Sequence, residues 1–268
     1  MKKFFRRSYI GIVLFFLYAP IAVLILFSFN SAKSSVWQGF SFKWYGELFK
    51  NEALMQSCLN TLMVAIISSI LATLLGIIAS IGLNNTRKGW KKSLSLNVSN
   101  LPIINPEIVT GVSLMLLFVF FGNLFGFEMG MVTVILSHIC FSVPYVILNI
   151  MPKLRNMDPN IFEAAQDLGC SRNTAFRKVV IPEIMPGILS GFLMAFTFSL
   201  DDFIITYFTS GSSFQTLPVQ IYSILGRRYN PSINALSTIL FLIVLVLLVL
   251  INIKDILDAR KEKTKEEF

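Results

Sequence analysis

Long stretches of uncharged residues divide the chain into segments that could each cross a membrane. A helix needs about 20 apolar residues to span a bilayer. Seven uncharged runs reach at least 17 residues: 8–32, 53–86, 108–127, 129–152, 184–200, 203–226 and 229–253. The run 203–226 contains the turn-forming residues 209–213 and then Pro218, which would leave backbone groups unpaired in lipid. We therefore predict six spans, with residues 203–208 as the tail of the fifth, at about 8–30, 57–83, 104–127, 130–151, 184–207 and 233–253.

The charged residues between these spans predict the orientation of the chain. Basic residues are concentrated in four segments, 2–7, 87–92, 153–178 and 254–265, and the first two contain no acid. With six spans, all four segments lie on one side, which the positive-inside rule identifies as the cytoplasm. Both termini are therefore predicted to be cytoplasmic, and the first apolar run, too long for a signal-peptide core, is predicted to be an uncleaved helix.

Composition narrows the class of protein. The chain has 268 residues, of which 54% are hydrophobic and only 14% are charged, whereas a soluble domain has about 25% charged residues. A soluble enzyme is therefore excluded. We interpret the net charge of +8 as the surplus of basic residues that orients the chain in the membrane, and not as a sign of nucleic-acid binding. Three isolated cysteines and one histidine suggest neither a disulfide framework nor a metal site. We interpret His138 as a hydrogen-bonded residue between helices in preference to a proton relay.

The longest hydrophilic stretch between spans, residues 153–183, predicts two short helices separated by Gly169. Asp158 is a candidate N-cap followed by Pro159 at the first helical position, and Gly169 can take the left-handed conformation that ends a helix. Ser171 can cap the second helix. The chain contains no Walker-type phosphate loop and no GxSxG elbow, so it carries no ATPase or hydrolase site of its own.

This stretch resembles the EAA motif of ABC importer permeases. Glu163, Ala164 and Ala165 are followed after three residues by Gly169, and after nine more by the sequence VVIP at 179–182. The resemblance implies a type I ABC importer permease fold, with ATP and Mg bound by a separate ATPase subunit and no cofactor on this chain. It assigns contact with that ATPase to Glu163, Ala164, Ala165, Leu168, Gly169, Val179, Ile181 and Pro182. An amphipathic interfacial hairpin is the alternative interpretation of the same residues.

Four further stretches extend the resemblance over nearly the whole chain. They are similar to spermidine/putrescine permeases of the PotC type: 105–111 (NPEIVTG), 198–206 (FSLDDFIIT), 216–222 (TLPVQIY) and 231–238 (PSINALST). This resemblance implies a multi-pass permease of the bacterial inner membrane that works by alternating access. Its implied partners are a second permease subunit, two ATPase subunits and an extracytoplasmic polyamine-binding protein.

Acidic and aromatic residues near the end of the fifth span are candidates for the substrate pathway. A polyamine carries several ammonium groups on a flexible methylene chain, so carboxylates and aromatic faces suit it. Ionisable residues at membrane depth are costly, which favours a function for Asp201 and Asp202. Helical spacing places these two about 100° apart, so only one is expected to face a pathway. Phe203 and Tyr207 are the predicted aromatic surface, with Glu107 as a further candidate.

Other interpretations of these residues stay open from the sequence alone. The aspartate pair could end the fifth span at the outer interface or cap a following element, and Glu107, at the cytoplasmic start of the third span, could cap that helix. The chain could be a permease for another small solute. It could also be a membrane enzyme or assembly factor that uses Asp201 and Asp202 as acid and base, although no second cluster of reactive residues supports that function.

Overall fold

A computed structural model of the chain is almost entirely helical. It describes residues 2–34, 36–86, 90, 104–158, 160–225, 231–242 and 245–246, with the backbone alone for residues 2–8. In chain order the helices are α1 (Lys2–Ser28), α2 (Lys43–Lys50), α3 (Glu52–Asn85), α4 (Glu107–Phe125), α5 (Met131–Asn156), α6 (Ile161–Asp167), α7 (Arg172–Ala175), α8 (Ile181–Asp201), α9 (Ile204–Thr209), α10 (Leu217–Leu225) and α11 (Ser232–Leu242). In these ranges the β-type pairing is limited to an isolated bridge between Asn30 and Phe40. The predicted all-α class is confirmed.

Within the described residues, five helical stretches are long and apolar enough to cross a membrane. They are Tyr9–Ser28, Glu52–Asn85, Glu107–Phe125, Met131–Asn156 and Arg172–Asp201. Helix α11 is apolar but shorter, and the sixth expected span, 233–253, continues past the described residues. The chain divides into two compact units, one formed by Met1–Met55 and Ile221–Phe268 and the other by Gln56–Gln220.

Close helix packing builds the core of the second unit around Val146 of α5. A Cβ atom at Gly187 of α8 would lie 2.8 Å from the Asn149 carbonyl oxygen, and one at Gly191 would lie 3.2 Å from the Val146 Cα. Gly76 of α3 faces the Val146 side chain with no room for a Cβ atom. The small residues therefore let three helices converge, as is common in membranes. The buried residues around this contact include Ile147, Ile150, Met151, Leu154 and Ile184.

The structure divides the expected fifth span instead of continuing it to residue 207. Helix α8 ends at Asp201, Asp202 has an extended backbone (φ −62°, ψ 123°), and α9 begins at Ile204. The Asp202 carboxylate accepts hydrogen bonds from the amides of Ile205 and Thr206, and this capping starts a new helix. Helix α9 then lies on α4 at Gly111, where a Cβ atom would be 3.0 Å from the Phe208 ring.

The hydrophilic segment after α5 forms two short helices joined at Gly169, as predicted. Gly169 has a left-handed backbone (φ +87°), and the amide of Cys170 donates to the Ala165 carbonyl in a Schellman-type ending. The side chain of Ser171 accepts from the Thr174 amide, which confirms it as the cap of α7. A π-helical turn, Phe176–Val180, then leads directly into α8.

The start of α6 differs from the prediction. The helix begins at Ile161 with Asn160 in the N-cap position, two residues after Asp158. Asp158 instead accepts a hydrogen bond from the Asn160 amide, as an Asx turn does. Pro159, the predicted first helical residue, lies outside the described residues.

In the first unit, a folded loop joins α1 to the amphipathic helix α2. The Trp44 indole is buried and donates its N–H to the Asn30 carbonyl. The Asn30 side chain in turn bonds the backbone of Ser34, Val36 and Gln38. These bonds satisfy the polar groups of the loop, so α2 keeps a fixed position relative to the end of α1.

Candidate functional site

A cavity of about 580 Å³ lies where α4, α5, α8 and α9 meet, within the second unit. Three carboxyl groups line it, those of Glu107, Asp201 and Asp202. Its aromatic lining consists of Phe141, Tyr145, Phe198 and Phe203, and its remaining lining of Asn105, Pro106, Thr110, Ile204 and Ile205. Among the described residues, no lysine or arginine lines this cavity. The site is therefore acidic and aromatic, a combination that favours an organic cation.

Asp201 and Asp202 are neighbours in sequence but occupy different environments. Asp201 is exposed at the end of α8. The Asp202 side chain is only 5% exposed, and its Oδ2 accepts from the Thr206 amide at 2.8 Å and the Thr206 hydroxyl at 2.7 Å. Both aspartates line the cavity, but Asp201 is exposed whereas the Asp202 carboxylate is held by Ile205 and Thr206. The helical spacing used in the prediction does not apply, because Asp202 is not helical.

Glu107 lies elsewhere than the sequence predicted. It is the first residue of α4 and lines the same cavity as Asp201. Asp201 ends a 21-residue helix that begins beside the 153–183 segment, so the cavity lies about 30 Å along α8 from that segment. The sequence placed Glu107 and this segment at the same ends of their spans, whereas the structure has Glu107 beside Asp201; the membrane side of Glu107 stays a prediction. Helix α4 begins part-way along the bundle, which the charge pattern alone could not reveal.

The aromatic residues near the cavity only partly match the predicted pair. Phe203 lines the cavity, and its ring centroid is 5.5 Å from that of Tyr207. Tyr207 is 51% exposed and does not itself line the cavity. Tyr145 and Phe198 do, with ring centroids 4.6 Å apart in an edge-to-face contact. Tyr145 and Phe141 are not among the predicted residues, because nothing within an apolar span distinguishes them from lipid-facing aromatic residues.

A buried polar cluster lies directly behind the cavity. His138 of α5 is fully buried; its Nδ1 lies 2.6 Å from Ser199 Oγ and its Nε2 lies 2.9 Å from Thr206 Oγ1. The same Nε2 is 3.4 Å from Asp202 Oδ2. Ser199 continues the contacts to Ser68 of α3, with 3.1 Å between the hydroxyl oxygens. The prediction that His138 is hydrogen-bonded between helices is confirmed.

The residues of the EAA-type motif divide into an exposed group and a packed group. Glu163, Ala164, Leu168 and Gly169 are exposed, and Leu168 is 87% exposed despite its apolar side chain. Ile181 packs against the core of the second unit, and Phe162 and Phe176 also fasten the segment to that core. Ala165 and Val179 are half-buried, and Pro182 is exposed in the first turn of α8. The segment therefore presents Leu168 outward among small and charged residues, while its other side packs against the bundle.

Comparison with known protein families identifies the class of protein. Residues 72–263, well over half of the chain, match the family described as "Binding-protein-dependent transport system inner membrane component". The chain belongs to this family. Members of the family are membrane components of transport systems, so the chain is a permease subunit and not a soluble enzyme, and the predicted resemblance is confirmed.

Individual relatives in the permease family are similar over most of their length. The chain is 36% identical to the spermidine/putrescine transport system permease protein PotC of Haemophilus influenzae, covering 93% of this chain and 96% of the relative. It is 35% identical to PotC of Escherichia coli, with 92% of each chain covered. It is 40% identical to the putrescine transport system permease protein PotI of Escherichia coli, covering 84% of this chain and 81% of the relative.

Solved structures confirm the permease fold. A bacterial ABC transporter involved in the import of the acidic polysaccharide alginate aligns with a TM-score of 0.73 at 13% identity, covering 93% of this chain and 95% of that chain. An amino acid ABC transporter aligns with a TM-score of 0.53 at 19% identity, covering 78% and 96%. At these identities the likeness concerns the fold alone.

Proposed function

We propose that this permease imports polyamines such as spermidine or putrescine. The observation that carries the proposal is the cavity in which Glu107, Asp201 and Asp202 meet four aromatic rings. The curated relatives named as polyamine permeases support the same substrate class independently.

The chemistry of the cavity suits a flexible polycation. Carboxylate oxygens accept charge-assisted hydrogen bonds from ammonium groups, and Asp201 and Glu107 are the exposed acceptors. The rings of Tyr145, Phe198 and Phe203 cover methylene groups and attract cations by their faces. Asp202 contributes negative potential without a free oxygen for the substrate, since its Oδ1 accepts from the Ile205 amide and its Oδ2 from the Thr206 amide and hydroxyl.

Transport in this proposal is driven by a separate ATPase. The exposed surface of Glu163, Ala164, Leu168 and Gly169 docks into a groove on the ATPase. Closure of two ATPase subunits moves this surface, and because Phe162 and Phe176 fasten it to the core, the movement reaches α8 as a rigid-body rotation. A second permease subunit completes the pathway, and an extracytoplasmic binding protein delivers the polyamine.

The proposal includes the orientation of the chain in the membrane. The segment 153–183 and both termini lie in the cytoplasm because basic residues are retained on that side. The turn between α4 and α5, which contains Glu128, then lies on the outer side.

The proposal is tested by uptake of radiolabelled spermidine into proteoliposomes that contain the complete transporter and the binding protein. Asp201→Asn and Glu107→Gln should each reduce uptake about tenfold or more, because each removes a charge-assisted hydrogen bond to the ammonium groups of the substrate. The matched control is Glu128→Gln, which removes the same charge outside the cavity and should leave uptake unchanged.

Competition between labelled spermidine and unlabelled solutes tests which class of solute is transported. Unlabelled spermidine and putrescine should both inhibit uptake, whereas neutral diols of the same length should not. If both variants take up spermidine normally, the cavity is not part of the transport pathway. Efficient inhibition by an uncharged solute, with weak inhibition by polyamines, would show that the substrate belongs to another class.

A further inference from the structure

We propose that His138 is a positioning residue for transport, which fixes the break between α8 and α9 and thereby the surroundings of Asp201 in the cavity. The inference rests on the proposed function, because it concerns the same cavity. His138 itself does not line the cavity. Its effect on the substrate would pass through the backbone that carries Asp201 and Phe203.

The contacts of His138 connect the two sides of the break. Ser199 lies two residues before Asp201 in α8, and Thr206 lies within α9. One imidazole nitrogen bonds each of them, at 2.6 Å and 2.9 Å. A single ring from α5 therefore sets the distance between the end of one helix and the start of the next.

The donors and acceptors in this cluster define which nitrogen carries a proton. The Thr206 hydroxyl donates to Asp202 Oδ2, so its oxygen is left to accept from His138 Nε2–H. The nearby Asp202 carboxylate favours the same tautomer. The ring, Thr206 and Asp202 thus form one directional chain that ends on the residue next to Asp201.

The break between α8 and α9 depends on this series of hydrogen bonds. Asp202 leaves the helical conformation, and its carboxylate supplies the acceptors for the first amides of α9. If the Asp202 side chain were released, α8 could continue into residues 203–208, the tail predicted for the fifth span. Phe203 and Ile204 would then turn relative to Asp201 by an amount that depends on the new helical register, and the surroundings of the Asp201 carboxylate would change.

Reactivity of a cysteine at position 201 measures this positioning directly. In a chain with Cys58, Cys140 and Cys170 replaced by serine, Asp201→Cys is labelled with a cationic methanethiosulfonate in the assembled transporter. His138→Leu should change the labelling rate about tenfold, the effect of leaving buried hydrogen-bonding groups unsatisfied. His138→Gln, which can still donate to Thr206, should change it less. Ser137→Ala is the control: Ser137 is an equally buried neighbour whose hydroxyl donates to the Thr133 carbonyl within α5.

Uptake supplies a second measurement in the chain with native cysteines. His138→Gln should reduce spermidine uptake, and combining it with Asp201→Asn should reduce uptake no further than Asp201→Asn alone, because both act through one carboxylate. A residue that only stabilised the fold would give additive losses.

The two proposals fail in different ways. Unchanged labelling of position 201 in both His138 variants, or additive uptake losses, would overturn the positioning role. If His138→Leu does not assemble, His138→Gln and Thr206→Val decide the question by the same labelling measurement. If the labelling rate changes but Asp201→Asn transports normally, His138 positions the break, whereas Asp201 is not a carboxylate of the transport pathway. That result would contradict the proposed substrate site and not the role of His138.

Discussion

At the scale of single residues, two adjacent aspartates occupy different environments because the backbone leaves the helical conformation at Asp202. Asp201 remains in α8 and is exposed, whereas Asp202 has left the helix and turns its side chain inward. The same side-chain chemistry therefore supplies a candidate cation ligand at one position and a helix cap at the next. Substitutions at the two sites should separate transport from stability.

Asp202→Ala should destabilise the protein more than Asp201→Ala. The first variant leaves the amides of Ile205 and Thr206 without their acceptor and should cost about 2 kcal/mol. The second changes an exposed side chain and should cost less than about 0.5 kcal/mol while impairing uptake. Thermal unfolding of the purified transporter in detergent measures both. Equal losses of Tm would contradict the assignment of Asp202 as the cap.

At the scale of helices, α6 and its C-cap residue Leu168 place two apolar side chains in different environments. Phe162 packs inward against the core, and Leu168 is exposed. Leu168→Glu should therefore reduce copurification of the ATPase and uptake about tenfold without a change in Tm, because an apolar contact is lost only at the interface. Phe162→Ala, the control that packs against the core, should lower Tm. Normal ATPase binding by Leu168→Glu would remove this surface from the coupling contact.

Helix packing gives a second prediction at this scale. Gly187→Ala places a Cβ atom 2.8 Å from the Asn149 carbonyl oxygen, and the resulting separation of α5 and α8 should cost about 1–3 kcal/mol. Gly82→Ala is a matched control in α3, since a Cβ atom there meets nothing within 4 Å, and it should be neutral or slightly stabilising. Thermal unfolding distinguishes them, and equal Tm values would show that the helices adjust without cost.

For the whole molecule, native cysteines offer a test of topology. With Cys58 and Cys140 replaced by serine, a membrane-impermeant maleimide should label Cys170, a half-buried residue of the 153–183 segment, in inside-out vesicles and not in intact cells. In a cysteine-free chain, Glu128→Cys in the turn between α4 and α5 should show the opposite pattern. Labelling of Cys170 from outside would reverse the proposed orientation.

The sequence by itself determined the membrane class, most of the helical spans and the capped hairpin at 153–183. These features are local, because an uncharged run of sufficient length becomes a helix in lipid wherever it lies. Gly169 and Ser171 likewise act on their immediate neighbours, and the structure has both as predicted. The spacing of the EAA-type motif then identified the family, which the comparisons confirm.

Only the tertiary structure decided which residues form the cavity and why α8 ends at Asp201. Glu107 and Asp201 are 94 positions apart, and their meeting depends on α4 beginning part-way along the bundle. Tyr145 and Phe141 join them through packing between helices. The break after Asp201 requires Thr206 and His138, and the histidine arrives from another helix. Hydropathy and charge describe how each segment meets lipid and water, but a buried hydrogen bond between distant helices leaves no periodic trace in the sequence.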